Sequence, residues 1–132
     1  MKTTFKNNGS RHPAVVNFSR EHHFGLVFCR HMKRLIESKS DIEHIRLLFG
    51  LFWENELQQH TESEEAFAKN LSTIPAIDQM NNDHRRLESM FMECGDYSFE
   101  ELDELATLLE DHIRFEEKIL FPRIPALLKK GA

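Results

Sequence analysis

The fold is decided by residues 112–122, which read HIRFEEKILFP. This stretch lies in an apolar, helix-forming run and places His112 and Glu116 four residues apart. On a helix, side chains at positions i and i+4 point the same way. The apolar residues within about 80° of His112, at about 100° per residue, are Leu105, Leu108, Leu109, Ile119 and Leu120. The pattern therefore aims an imidazole and a carboxylate into a hydrophobic core, where a charge is costly unless it is paired or binds a metal.

A second copy of the pattern lies in residues 60–65, which read HTESEE. His60 and Glu64 are again four residues apart, and a second glutamate again follows. Upstream of each copy an acidic residue stands directly before a histidine, as Glu21-His22 and as Asp83-His84. The two halves of the chain therefore look like related helical hairpins packed around a pseudo-twofold axis.

Composition narrows the class of protein. The 132 residues suit one domain, and the hydrophobic fraction of 40% and charged fraction of 30% are ordinary for a globular protein. The net charge is −5 and no basic cluster stands out, so we expect no nucleic-acid partner. No apolar run approaches the roughly 20 residues of a membrane span, and the polar start of the chain lacks the apolar core of a secretory signal. The two cysteines form no metal or redox motif, so we expect a cytoplasmic protein.

The chain divides into a polar N-terminal arm, residues 1–15, and a helical domain, residues 16–130. Hydrophobic periodicity predicts four long amphipathic helices, over residues 16–37, 41–71, 75–93 and from 99 onward. Capping boxes at residues 40–43 and 98–101 start the second and fourth helices, Pro75 starts the third, and Pro122 kinks or ends the fourth. Four such helices with short connections predict an all-α, antiparallel up-down-up-down four-helix bundle.

Helical phase selects one inward histidine on each helix. On the first helix His22 shares a face with the apolar residues, whereas His23 is turned by about 100° toward the flank; an error in the phase of this helix would reverse that choice. His31 and His44 fall outside by the same test. The inward polar set comprises His22, His60, Glu64, His84, His112 and Glu116.

Four further carboxylates need a separate interpretation. Glu65 and Glu117 point about 140° away from the histidines and are predicted to lie at the surface. Glu56 and Glu88 each lie four residues from an inward histidine and therefore fall on the inward face. Each of these two could meet solvent or an arginine at the rim of the bundle, or serve as an extra metal ligand or as the partner that holds a ligand imidazole. The sequence leaves both alternatives open.

The six inward residues indicate a metal centre. Any one of them alone would fit a hydrogen-bonded core residue, but the whole set would need a polar core of unusual size. Nitrogen and oxygen ligands without a thiolate suit iron, manganese or zinc. Four histidines and two glutamates are too many ligands for one ion and the right number for two.

These residues also carry a family resemblance. Over residues 18–127 the chain resembles the hemerythrin-like (HHE cation-binding) domains. The matching pieces are Glu21-His22, Trp53, His60-x-x-x-Glu64-Glu65, Asp83-His84-Arg85-Arg86-Leu87 and His112-x-x-x-Glu116-Glu117-x-x-Leu120-Phe121-Pro122. The resemblance implies a four-helix bundle around two iron ions. It implies terminal ligands at His22, His60, His84 and His112, and bridging ligands at Glu64 and Glu116, with an oxo or hydroxo group as the third bridge.

The family binds dioxygen reversibly, senses oxygen, nitric oxide or iron, or protects and repairs iron centres. This chain departs from the oxygen carriers: Glu88 stands where they have a second histidine on the third helix, and Glu116 replaces an aspartate one residue further along. The leading hypothesis is a di-iron protein that binds or senses a diatomic ligand, oxygen or nitric oxide, or handles iron, with a redox partner. The alternatives are a di-iron enzyme for peroxide or nitric oxide detoxification or iron-centre repair, and a metal-free bundle that binds a partner protein.

Overall fold

The computed structural model describes residues 11–129, and within that range the chain forms helices and no strand. The helices are α1, Pro13–Glu37; α2, residues 42–68; α3, Pro75–Glu93; α4, residues 99–120; and the short α5, Ile124–Leu127. α2 consists of Ile42–Phe52, a π-helical segment Trp53–Leu57, and Gln58–Ala68. α4 consists of Phe99–Phe115 and a π-helical segment Glu116–Leu120, and 3₁₀ turns precede and follow it at Cys94–Asp96 and Phe121–Arg123. The prediction of an all-α protein with four long helices is confirmed.

The helix starts differ from the predictions in two places. α1 begins at Pro13, because the His12 imidazole accepts a hydrogen bond from the Ala14 N–H at 3.0 Å and caps the helix. Residues 13–15 therefore belong to the bundle, and residues 1–10 of the predicted arm lie outside the described residues. α2 is capped by Asp41, whose carboxylate accepts from the Glu43 N–H at 3.1 Å, so the capping box predicted at residues 40–43 was wrong. The box at residues 98–101 is present as predicted.

The π-helical segment of α4 changes which residue faces inward. Ile119, predicted on the inward face, is 50% exposed, while Leu120 is 2% exposed. A π-turn closes i→i+5 hydrogen bonds and so adds a residue to the turn. Leu120 therefore occupies the inward position as predicted, and the inward position predicted for Ile119 was wrong. Pro122 then lies in the 3₁₀ turn, because a proline has no N–H to continue the helix ladder.

Two hydrophobic clusters fill the bundle. In α1, α2 and α3 the inward histidine lies in sequence between residues of the two clusters, and in α4 Ile113 of the first cluster directly follows His112. The first, the Phe49 cluster, includes Cys29, Met32, Phe49, Leu57, Leu87, Leu105 and Ile113. The second, the Phe121 cluster, includes Val15, Phe18, Leu71, Met80, Leu120 and Phe121. Across residues 11–129, none of the helices combines the length and apolar character that crossing a membrane requires.

Candidate metal centre

The structure brings all six predicted ligands together in the interior. Each is 7% exposed or less, and Glu116 is fully buried; the six are His22, His60, Glu64, His84, His112 and Glu116. His23, His31 and His44 are exposed. Each of the four long helices therefore contributes one buried histidine, and α2 and α4 each add one buried glutamate.

The buried residues form two overlapping groups of donor atoms. His22, His60, Glu64 and Glu116 form one group, and Glu64, His84, His112 and Glu116 form the other. Within each group the donor atoms lie within 4.8 Å of one another. Both glutamates belong to both groups: for example, Glu64 Oε2 lies 3.0 Å from His60 Nε2, and Glu64 Oε1 lies 3.0 Å from His84 Nε2.

Eight buried atoms at the centre of these groups form no hydrogen bond within the described chain. They are the Nε2 atoms of the four histidines and both carboxylate oxygens of Glu64 and Glu116. Pairs such as His22 Nε2 and Glu116 Oε1 are 2.8 Å apart, within ion-pair distance, but they do not form a hydrogen bond. A buried polar atom without a partner costs about 1–3 kcal/mol. Metal ions placed among the atoms would satisfy all eight, so the residues fit metal that is bound by nitrogen and oxygen ligands.

The charges of the cluster favour cations. Burial lowers the pKa of each imidazole, but the neighbouring carboxylates raise it by more, so the pKa of His84 is about 10 and that of His112 about 9. Burial raises the pKa of Glu64, but its contacts with His60, His22 and His84 lower that pKa by more, so it lies well below its usual range. Without metal, protonated imidazoles therefore neutralise the buried carboxylates. A metal ion must displace those protons, because only a neutral imidazole can bind it.

Four more carboxylates hold the outer edges of the imidazoles, and we call them the carboxylate ring. Glu21 lies 2.6 Å from His60 Nδ1, Glu65 2.7 Å from His84 Nδ1, Asp83 3.1 Å from His112 Nδ1, and Glu117 2.6 Å from His22 Nδ1. An ionised carboxylate only accepts hydrogen bonds, so each Nδ1–H donates. This fixes the tautomer that leaves Nε2 free to bind a metal.

The carboxylate ring runs around the bundle in one direction. A carboxylate on α1 accepts from the histidine of α2, and a carboxylate on α2 accepts from the histidine of α3. A carboxylate on α3 accepts from the histidine of α4, and a carboxylate on α4 accepts from the histidine of α1. Other groups support the ring: Arg85 donates to Glu65 at 2.7 Å, and the Ser19 hydroxyl donates to Glu117 at 2.8 Å. Six carboxylates thus surround the four imidazoles, which makes the site strongly favourable for positive charge.

The surface position predicted for Glu65 and Glu117 was wrong. Their side chains are 25% and 28% exposed and contact histidines of the next helix. They do point away from the histidine of their own helix, and that direction leads to the neighbouring helix rather than to solvent. The signal available in the sequence was the internal repeat, since an acidic residue follows both buried glutamates and precedes both His22 and His84.

The other two carboxylates do not join the donor groups. Glu56 is exposed, and Glu88 is partly buried with its carboxylate 3.4 Å from Arg85 Nε. Within residues 11–129, neither Glu56 nor Glu88 accepts a hydrogen bond from an imidazole. The carboxylates that do so are those of the carboxylate ring.

Aromatic rings close the Phe121 side of the centre. Phe121 stacks on His22 with ring centroids 5.2 Å apart and an angle of 10° between the planes. Phe18 packs edge-on against His60 at 5.7 Å. These rings restrict the imidazoles and exclude water from that side.

Comparison of the chain with protein-family models, with curated proteins and with solved structures finds no match. The interpretation of the site therefore rests on its own chemistry: two groups of donors, eight unpaired atoms and the carboxylate ring.

We expect His22→Ala to lower metal content to about one ion per chain or fewer, because it removes a donor and leaves its carboxylate partners unpaired. His23→Ala is the matched control, since the adjacent His23 is exposed and should leave metal content unchanged. Elemental analysis of the two purified variants checks this. Equal metal content in both would contradict the assignment of His22.

We expect Glu117→Gln to weaken metal affinity about 10–100-fold, the usual effect of losing the partner of a ligand imidazole. The neutral amide no longer attracts the Nδ1 proton of His22, so the imidazole becomes a poorer donor. Glu62→Gln, at an exposed position on α2, is the control. Competition with a chromophoric chelator measures both affinities. An unchanged affinity for Glu117→Gln would show that Glu117 does not support metal binding through His22.

The metal-free protein should lose stability as the pH rises. His84 and His112 have pKa values of about 10 and about 9, above the ordinary 6.5, so the stability they contribute is fully present below pH 6.5 and is lost as the pH rises through those values. With metal bound the imidazoles are neutral throughout, and this loss should disappear. Urea unfolding across that range, with and without metal, tests it; a flat profile for the metal-free protein would refute it.

Proposed function

We propose that this chain is a non-haem di-iron protein of the hemerythrin-like type that binds or senses a diatomic ligand, oxygen or nitric oxide, or handles iron. The observation that carries the proposal is the set of eight buried, unpaired nitrogen and oxygen atoms in two groups that share Glu64 and Glu116. A site for one ion would not need two shared carboxylates. His22 and His60 would hold one ion, and His84 and His112 the other.

The proposal includes the antiparallel arrangement of the bundle. In α1 the chain meets Phe18 of the Phe121 cluster before His22, and Cys29 of the Phe49 cluster after it. In α2 the order is reversed, from Leu57 of the Phe49 cluster to Leu71 of the Phe121 cluster just beyond the helix. α3 repeats the order of α1, and α4 repeats that of α2. This alternation supports an up-down-up-down topology.

Iron is proposed over other metals on the resemblance in sequence. The donor chemistry fits iron, manganese or zinc, because it offers nitrogen and oxygen and no thiolate. Cys29 and Cys94 are buried and free, and neither belongs to a donor group. A cytoplasmic location and a redox partner are part of the same proposal.

The residues of the chain supply orientation and a dry environment. A ferrous pair, when bound, would supply the electrons that reduce dioxygen or the open positions that bind nitric oxide. The carboxylate ring keeps each Nδ1 proton in place and each Nε2 directed inward. Phe18 and Phe121 limit the access of water on one side.

The donor groups favour sensing or iron handling over reversible oxygen carriage. Each group contains two imidazoles and carboxylate oxygens from two glutamates. Glu88, which stands where the oxygen carriers have an additional histidine, pairs with Arg85 outside both groups. The ligand set is therefore poorer in histidine than the set on which reversible carriage depends.

Elemental analysis and an absorption spectrum test the proposal. After iron-replete expression we expect about two irons per chain, with a charge-transfer band that appears when oxygen is added to the reduced protein. Glu116→Ala should lose one or both irons, and Glu62→Ala, at an exposed position, should keep both. Well under one metal per chain would refute metal binding, and an iron-loaded protein with no spectral response to oxygen or nitric oxide would refute the diatomic ligand.

A further inference from the structure

A cavity of about 240 Å³ lies beside the metal centre. Most of its lining is apolar, and the exposed charged residues Arg20, Glu21 and Glu56 also line it; the apolar residues are Phe24, Gly25, Phe52, Leu57, Leu109 and Ile113. Three of the four inward imidazoles, those of His22, His60 and His112, also line it. Exposed side chains, including Phe24 and Glu56, line it as well and place its mouth at the surface.

We infer that this cavity binds an uncharged, apolar organic molecule about the size of one aromatic ring. The cavity itself does not depend on metal. That its occupant lies against a metal centre rests on the proposed function. The site would thus take an organic ligand or substrate in addition to a diatomic molecule.

Size is the first argument. An apolar cavity of about 150 Å³ stays free of water and binds benzene. The cavity in this chain is larger, at about 240 Å³, and so has room for a substituted ring. A diatomic molecule is closer in size to one water, whose share of liquid volume is about 30 Å³. A diatomic ligand alone would leave most of the cavity empty.

The chemistry of the lining is the second argument. Both nitrogens of each lining imidazole are already directed elsewhere: in His60, Nδ1 faces Glu21 and Nε2 faces Glu64. In His22 and His112 as well, Nδ1 faces a carboxylate of another helix and Nε2 faces a buried glutamate at the centre. The imidazoles therefore present ring edges and faces to the cavity, and the lining carboxylate of Glu21 is already paired with His60 Nδ1. A charged ligand would lose its hydration there without compensation.

Gly25 is the third argument, because its missing side chain contributes to the space. Gly25 is buried in the middle of α1, where glycine costs about 1 kcal/mol relative to alanine. A Cβ at this position would lie 3.0 Å from Ile113 Cδ1 and 3.9 Å from Phe52 Cζ, which are both cavity residues. A larger side chain at residue 25 would therefore take up space beside the imidazoles.

Methyl NMR with toluene as the probe tests the inference on the full chain loaded with zinc, which is diamagnetic. We expect toluene to shift the methyl resonances of Leu57, Leu109 and Ile113, and to leave those of Leu102, a core residue that is not among the cavity-lining residues, unchanged. Benzoate, of similar size but charged, should bind far more weakly. Absence of shifts at saturating toluene, or equal binding of benzoate, would overturn the inference.

Two glycine variants provide a matched comparison. Gly25→Val should weaken toluene binding by about tenfold or more, because the site becomes overpacked. Gly50→Val makes the same change in α2, where a Cβ meets no atom within 4 Å, and should leave binding unchanged. If Gly25→Val does not fold, Ile113→Ala decides instead: it enlarges the cavity and should admit naphthalene, and its failure to do so would overturn the inference. Unchanged binding in a folded Gly25→Val would do the same.

The failure of the cavity and the failure of the metal centre give different results. Toluene binding to the chain without added metal, combined with no metal in the elemental analysis, would support the cavity and refute the proposed function. A metal-loaded chain that does not bind toluene would refute the inference about the cavity and leave the proposed function intact.

Discussion

The structure depends on one constraint, which is that eight polar atoms lie unpaired in the centre of an apolar bundle. Such atoms are tolerated when they share a common partner, and their chemical type suits metal ions. The atoms come from all four long helices, each of which contributes a histidine, and α2 and α4 also contribute a glutamate each. The constraint explains why the polar layer separates two hydrophobic clusters, since each cluster keeps water away from one side of it.

The carboxylate ring makes the donor set depend on all four helices at once. Each long helix orients the histidine of another, so displacing one helix disturbs both its own ligand and that of its neighbour. Imidazoles held in this way need little rearrangement to bind a metal. The ring also surrounds the centre with negative charge, which favours cations and offsets the cost of burying them.

The cavity breaks the near-symmetry of the two halves. The donor groups are related in pattern, with two histidines each and two shared glutamates. The cavity, however, is lined by His22 and His60 from one group and by His112 from the other, while His84 is 1% exposed. The two donor groups therefore differ in access, because both histidines of one group line the cavity and only one histidine of the other does.

The sequence by itself determined the four long helices, the six inward residues and the choice of His22 over His23, because helical phase depends only on spacing along the chain. Phase fails where the helix geometry changes, and in the π-helical segment of α4 Leu120 is buried as expected whereas Ile119 is exposed. Only the tertiary structure decided which histidines share a donor group, that Glu65 and Glu117 hold imidazoles of other helices, and that a cavity reaches the centre from one side. These features depend on distances between helices, and periodicity along one helix contains no information about its neighbours.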